Sequence, residues 1–243
     1  MFDTVIKNGK VIDGSGNPWL AADVGIVDGK ITKIGPIGNA EARQILDARG
    51  RFVCPGFVDG HSHSDLFILT EPEARQKVMQ GITTENGGLD GMSVAPIRKQ
   101  DVAGWRKHLS GLDGDPSIKW HWGSFADYLD VVDAVKPSIN FCSYVGLGTI
   151  RLMVMGMDAR AAEAGEIEEM KKIAAAAMEQ GARGISAGLI YPPSQYQSLA
   201  EIVEIAKVVR KHDGIFDVHM RSESDGIAEA IEEVLEIGRR SEI

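Results

Sequence analysis

Hydrophobic and polar positions follow two regimes along the chain. Up to about residue 50 the apolar runs are short and interrupted by glycine pairs. Thr4-Val5-Ile6-Lys7 and Lys10-Val11-Ile12 flank Asn8-Gly9, and Ala22 to Val27 and Lys30 to Gly35 flank Asp28-Gly29. Both members of such a pair tolerate positive φ, so each predicts a β-hairpin. No helical period competes here, and residues 1–52 are expected to form a small β-rich portion. From residue 52 the pattern alternates. Strands are predicted over 52–59, 81–84, 139–146, 184–190 and 215–219. Helices are predicted over 72–79, 105–114, 124–135, 159–180, 199–212 and 226–240, with Ser124 as a cap. Repeated strand–helix alternation predicts an α/β body with a parallel sheet covered by helices, over residues 53–243.

Composition adds limits. The 243 residues carry 26 basic and 35 acidic side chains, a formal charge of −9, which argues against nucleic acid as a partner. No apolar run reaches the length of a membrane-spanning helix, so no membrane association is expected. The start Met1-Phe2-Asp3-Thr4-Val5 lacks the pattern of a secretory signal. The two cysteines, Cys54 and Cys142, cannot build a disulfide framework, and a reducing, cytoplasmic setting is expected. Both are expected in the core. The 28 glycines exceed the usual ~7% and suit many short connections.

The chemistry concentrates in Pro55-Gly56-Phe57-Val58-Asp59-Gly60-His61-Ser62-His63-Ser64-Asp65. Two residues apart at a strand end, His61 and His63 point the same way, and imidazole is the commonest protein ligand for zinc. The alternative is a pair of surface loop histidines. His219, at the end of the last predicted strand, is either a third ligand or a satisfied core histidine. Asp90, in Leu89-Asp90-Gly91, is either a carboxylate ligand or an Asx-turn residue. Glu85 is a weaker inward candidate. His108, His121 and His212 sit among charged neighbours and are expected at the surface.

The line from Pro55 to His63 resembles the amidohydrolase superfamily. So does the opening Lys7-Asn8-Gly9-Lys10-Val11-Ile12-Asp13-Gly14. Gly81-Ile82-Thr83-Thr84, Gly91-Met92-Ser93-Val94-Ala95-Pro96, Trp120 to Leu129, Ser186 to Tyr196 and His219-Met220-Arg221 narrow the resemblance to the N-acyl-D-amino-acid deacylase (D-aminoacylase) branch. The resemblance implies a metal-dependent hydrolase on a (β/α)8 TIM-like barrel, with a small β-sandwich completed by strands from the carboxyl-terminal part. It implies Zn2+, one or two ions or another divalent metal, held by His61, His63, Asp90 and His219. It implies a small N-acyl amino acid as substrate, contacted by Tyr191 and Tyr196. Arg221 is either a clamp for the substrate carboxylate or a charge partner within the protein. The implied reaction is hydrolysis of an amide in which the metal activates water and a carboxylate moves the proton. Dihydroorotase, hydantoinase or dipeptidase activity is the nearest alternative.

Two positions depart from the branch. Many members carry a cysteine where Asp90 stands, and a histidine is usual where Leu147 stands. Only the first five of eight barrel strands are predicted, and the aspartate that the resemblance assigns as general acid/base lies outside residues 1–243. The remainder of the barrel is therefore expected in cis or from another chain. The chain is expected to be a fragment of a longer protein; a half completed by another chain and a non-catalytic metal-binding remnant are the other readings.

Overall fold

A computed structural model describes residues 1–39 and 41–243. The chain divides into two compact units, Met1–Phe57 and Val58–Ile243, so the boundary falls a few residues beyond the one expected from sequence.

The first unit is one sheet of β1 (Phe2–Val11), β2 (Leu20–Val27), β3 (Lys30–Gly35), β4 (Ala42–Asp47) and β5 (Phe52–Val53). β1 runs antiparallel to β2 on one side and parallel to β4 and then β5 on the other. Asp28 and Gly29, with φ of 49° and 70°, make the expected two-residue hairpin between β2 and β3. Asn8-Gly9 does not make a hairpin. Asn8 takes φ 62° inside β1, and the register with β2 shifts between Ile6 and Gly9. This is a β-bulge, which needs the same positive φ as a turn. Gly9 is required there, because a Cβ would lie 2.7 Å from Val53 Cγ2. Val11, Ala22 and Val24 form the small core of this unit.

The strand expected over 52–59 is two pieces. Phe52 and Val53 belong to β5, and β6 (Phe57–Asp59) follows after a break. Cys54 lies in that break and is exposed, which corrects its expected place in the core; Cys142 is half-buried.

The second unit alternates strands and helices: α1 (Phe67–Thr70), α2 (Arg75–Val78), β7 (Ile82–Gly87), α3 (Val102–Leu109), α4 (Phe125–Val135), β8 (Asn140–Ser143), β9 (Val145–Gly146), α5 (Leu147–Met155), α6 (Ala164–Glu179), β10 (Gly184–Gly188), α7 (Leu199–Arg210), β11 (Ile215–His219) and α8 (Ile227–Ser241). The strands lie in the orders β6-β7-β8 and β9-β10-β11. Tyr144 alone separates β8 from β9, so the two groups follow each other as an arc. The pairings of β7 with β8, β9 with β10 and β10 with β11 are parallel. This is part of a TIM-like barrel, with mixed α/β content and open sheets.

The helices form where their caps and apolar faces dictate. Ser124 Oγ accepts from Asp127 N at 3.1 Å while Asp127 accepts from Ser124 N at 2.9 Å, a reciprocal cap that starts α4. Ser198 and Glu201 start α7 in the same way. Phe125, Tyr128, Trp105, Leu147, Ile185 and Ile202 meet in the core between helices and sheet. α5 was not predicted, because it follows β9 without a loop. Leu147 opens it and is fully buried, so this position faces packed side chains rather than a polar site. No helix among the described residues is long and apolar enough to cross a membrane.

Candidate metal centre

β6 delivers the two histidines. Asp59 accepts from Lys77 Nζ at 2.5 Å and from His61 N at 3.3 Å, which fixes the turn from strand to loop. Lys77 also lies 3.0 Å from Glu85, a carboxylate almost wholly buried on β7. Glu85 is thereby engaged in an ion pair and by Ser62 Oγ at 3.2 Å, not turned towards the histidines as a ligand. Burial works against the Lys77 charge, yet Asp59 and Glu85 together raise it above the ordinary lysine range.

Asp90 is placed by a tight loop after β7. It sits at φ 53°, between Gly88 at 69° and Gly91 at 74°. Aspartate tolerates this left-handed region better than most residues. The glycines are needed for space: a Cβ on Gly88 would meet Tyr144 O at 2.1 Å, and one on Gly91 would meet Ser194 Oγ at 2.7 Å. Ser186 on β10 pins the loop, accepting from Gly91 N at 3.0 Å and donating to Gly88 O.

The result is a convergence on one carboxylate. Asp90 Oδ2 is 3.2 Å from His63 Nε2 and 3.5 Å from His61 Nε2, and Asp90 Oδ1 is 3.7 Å from His219 Nδ1. One ligand atom each from His61, His63 and Asp90 lie within 4.8 Å of one another, a spacing that can hold a metal ion. Asp90 Oδ1 is buried and lacks a hydrogen-bond partner, as an oxygen free to hold an ion does. The donor set of imidazoles and one carboxylate suits zinc and related ions. Burial opposes ionisation of Asp90, but the His63 contact and the charges of His61, His63 and His219 outweigh it and hold the carboxyl below its ordinary value. Asp90 is thus a metal-ready anion.

The expected substrate residues divide. Tyr191 packs edge-on against His219, with ring centroids 5.0 Å apart. Burial, with Asp90 and Glu223 nearby, raises its hydroxyl above the usual range, so it remains a donor at neutral pH. Tyr196, half-buried, ends the short turn Ser194–Tyr196 on the same loop. Arg221 is engaged within the protein. It grips Glu233 through Nε and an Nη, and its other donors reach the carbonyls of Gln195 and Gln197 at 2.7 and 3.0 Å. It is the charge partner, fastening α8 to the tyrosine loop. His108, His121 and His212 are exposed and away from the cluster.

Two carboxylates escaped the sequence reading. Asp65 is fully buried, and burial pushes it up to about 6 against the Gly88 N–H bond and His63. Asp113 is buried too; burial and the neighbouring Asp65 push it up to about 9. Asp65 extends the His61-Ser62-His63 alternation by one step, a usable signal. Asp113 lies in a loop with no motif around it.

Residues 44–237 match the Amidohydrolase family. The chain is 37% identical to a D-aminoacylase of Alcaligenes xylosoxydans xylosoxydans over 242 residues, which is 100% of this chain and 49% of that protein. It is 38% identical to the N-acyl-D-glutamate deacylase of the same organism, over 99% of this chain and 48% of that one. The crystal structure of N-acyl-D-glutamate deacylase from Bordetella bronchiseptica, complexed with zinc and a phosphonate mimic of the tetrahedral intermediate, superposes with a TM-score of 0.88 at 36% identity, covering 99% of this chain and 49% of that one. The chain spans about half the length of the curated relatives it matches. With a partial barrel and a histidine–carboxylate cluster at its strand ends, this chain belongs to the amidohydrolase family.

Proposed function

We propose that this chain carries the metal-binding half of a zinc-dependent hydrolase that removes the acyl group from N-acyl-D-amino acids. The observation that carries the reading is the convergence of His61, His63 and His219 on Asp90. These four residues would hold the ion. A divalent ion there supplies a Lewis acid that polarises the amide carbonyl and lowers the pKa of water. Asp90 contributes negative charge and, as a hard oxygen donor in place of the branch's usual thiolate, shifts preference towards harder ions. Tyr191 offers a hydroxyl to the substrate carboxylate from its place against His219, with Tyr196 as a second donor on the same loop. The D configuration and the acyl amino acid class rest on the relatives. The proton-carrying aspartate and the remaining barrel strands are supplied from outside these residues, in cis or by another chain.

The half-length coverage of the relatives supports a second reading, a metal-binding segment without its own turnover. Zinc titration of the chain separates the metal site from catalysis. We expect tight binding of zinc, lost on His61→Ala and reduced on His219→Ala. Unchanged zinc content in both variants would remove the cluster as the site. In the longer protein that contains these residues, the same substitutions are expected to abolish release of acetate from N-acetyl-D-glutamate.

A further inference from the structure

Each imidazole of the cluster turns one nitrogen to Asp90 and the other to a separate carboxylate. His61 Nδ1 lies 3.8 Å from Asp217, His219 Nε2 lies 3.6 Å from Glu223, and His63 Nδ1 lies 3.7 Å from Asp113. The three carboxylates differ in burial. The Glu223 side chain is 65% exposed and that of Asp217 35%, so water can serve both, whereas the Asp113 side chain is 0% exposed.

Neither oxygen of Asp113 has a hydrogen-bond partner, and neither has His63 Nδ1. A buried carboxyl group without a hydrogen-bond partner is costly even when neutral, so its retention calls for a partner. Its buried neighbour Asp65 also has a free oxygen, Oδ1, but Asp65 Oδ2 is committed to Gly88 N at 3.1 Å. Among the described residues Asp113 is the carboxylate within 4 Å of His63 Nδ1. It is held there by the turn that ends α3, with Asp113 N donating to Leu109 O at 2.9 Å. Gly114, at φ 70°, lets the loop pass Phe67, whose ring would lie 3.1 Å from a Cβ.

We propose that Asp113 is the positioning residue of His63. It accepts the Nδ1 proton, fixes the ring plane and leaves the Nε2 lone pair aimed at the ion beside Asp90. The inference rests on the metal-centre reading above. A histidine that ligates through one nitrogen needs its proton on the other, and a buried carboxylate on that side makes the ligand more basic. The metal centre thus reaches beyond the strand ends into the loop after α3.

The test uses the full chain loaded with zinc. Zinc affinity is measured by competition with a chelator, and the His63 Nδ1–H proton is followed by 15N-edited NMR. The parent is expected to bind zinc and to show a downfield, slowly exchanging Nδ1–H signal. Asp113→Ala is expected to lose that signal and about 10–100-fold in affinity. Asp113→Asn, whose amide oxygen still accepts from Nδ1–H, is expected to keep the signal and most of the affinity. If Asp113→Ala does not fold, Asp113→Leu, of similar size and without an acceptor, decides: retention of the signal and of the affinity overturns the inference and their loss, with Asp113→Asn keeping both, supports it. A folded Asp113→Ala that keeps the signal, with affinity within about twofold of the parent, overturns the inference and leaves the metal centre standing. A parent that binds no zinc overturns the metal centre and this inference together.

Discussion

At the scale of single residues, Asp90 decides most. Its φ of 53° is affordable for aspartate, and the carboxylate it presents is the one group that all three histidines share. Asp90→Cys would install the donor that the branch usually carries. A thiolate favours soft ions, so the ratio of cadmium to manganese affinity should rise at least about tenfold in isothermal titration. The change should also destabilise the fold by about 1 kcal/mol, because cysteine is less at ease in the left-handed region. An unchanged ratio would show that Asp90 does not touch the ion. Some of this site is legible from sequence. His61 and His63 announce themselves by spacing and by the strand before them. Asp113 cannot be found that way, because its role depends on the loop after α3 folding back to His63, and nothing local to Gly111–Gly114 encodes that approach.

At the scale of elements, β6 and β7 are tied by Lys77 of α2, which meets Asp59 on one strand and Glu85 on the other. Replacing Lys77 with methionine keeps the stem and leaves the Glu85 carboxylate buried without a counter-ion. Breaking a buried pair from one side typically costs about 3–5 kcal/mol. Urea denaturation of Lys77→Met should show a loss of that order, and Lys77→Met with Glu85→Gln should recover part of it. In the first unit Asp23 plays a comparable part, accepting from Asn8 N, Lys7 Nζ and Ile37 N. The Asn8 and Lys7 bonds lead in holding Asp23 below its ordinary value, against burial. Its contribution is therefore complete above the unfolded carboxyl range and is lost as pH falls towards the folded value. The melting temperature of Asp23→Asn should lie below that of the parent at neutral pH, and the gap should close below about pH 4. Asp23 also explains why Asn8-Gly9 misleads as a hairpin. Asn8 takes a positive φ, which a turn and a bulge can both use. What selects the bulge is non-local: Asp23 binds the Asn8 amide, and β1 is paired along both sides of its length.

At the scale of the whole chain, the alternation of strands and helices is legible because short stretches such as Ile215–His219 separate helices with amphipathic faces and caps, such as α4 and α7. The helix expected over 72–79 forms as the shorter Arg75–Val78, whereas α1 and α5 carry no such signal, since tertiary packing sets their limits. Among the described residues β6 pairs only with β7, and β11 only with β10. Val58 is 65% exposed and Ile215 53%, while Ile231 and Leu235 leave part of the α8 face open. Such edges and faces bind further strands or dyes that seek apolar surface. The chain of these residues alone should therefore enhance the fluorescence of an anilinonaphthalene dye. It should bind zinc and yet release no acetate from N-acetyl-D-glutamate above the rate of zinc in buffer. The longer protein should hydrolyse that substrate and lose the dye signal. Turnover by the chain alone, if it disappears with His61→Ala, would mean that a proton carrier lies within these residues. Asp217, raised by burial and 3.8 Å from His61, would then be the group to replace next, because a carboxyl held above its ordinary value beside the ion is suited to take and return a proton.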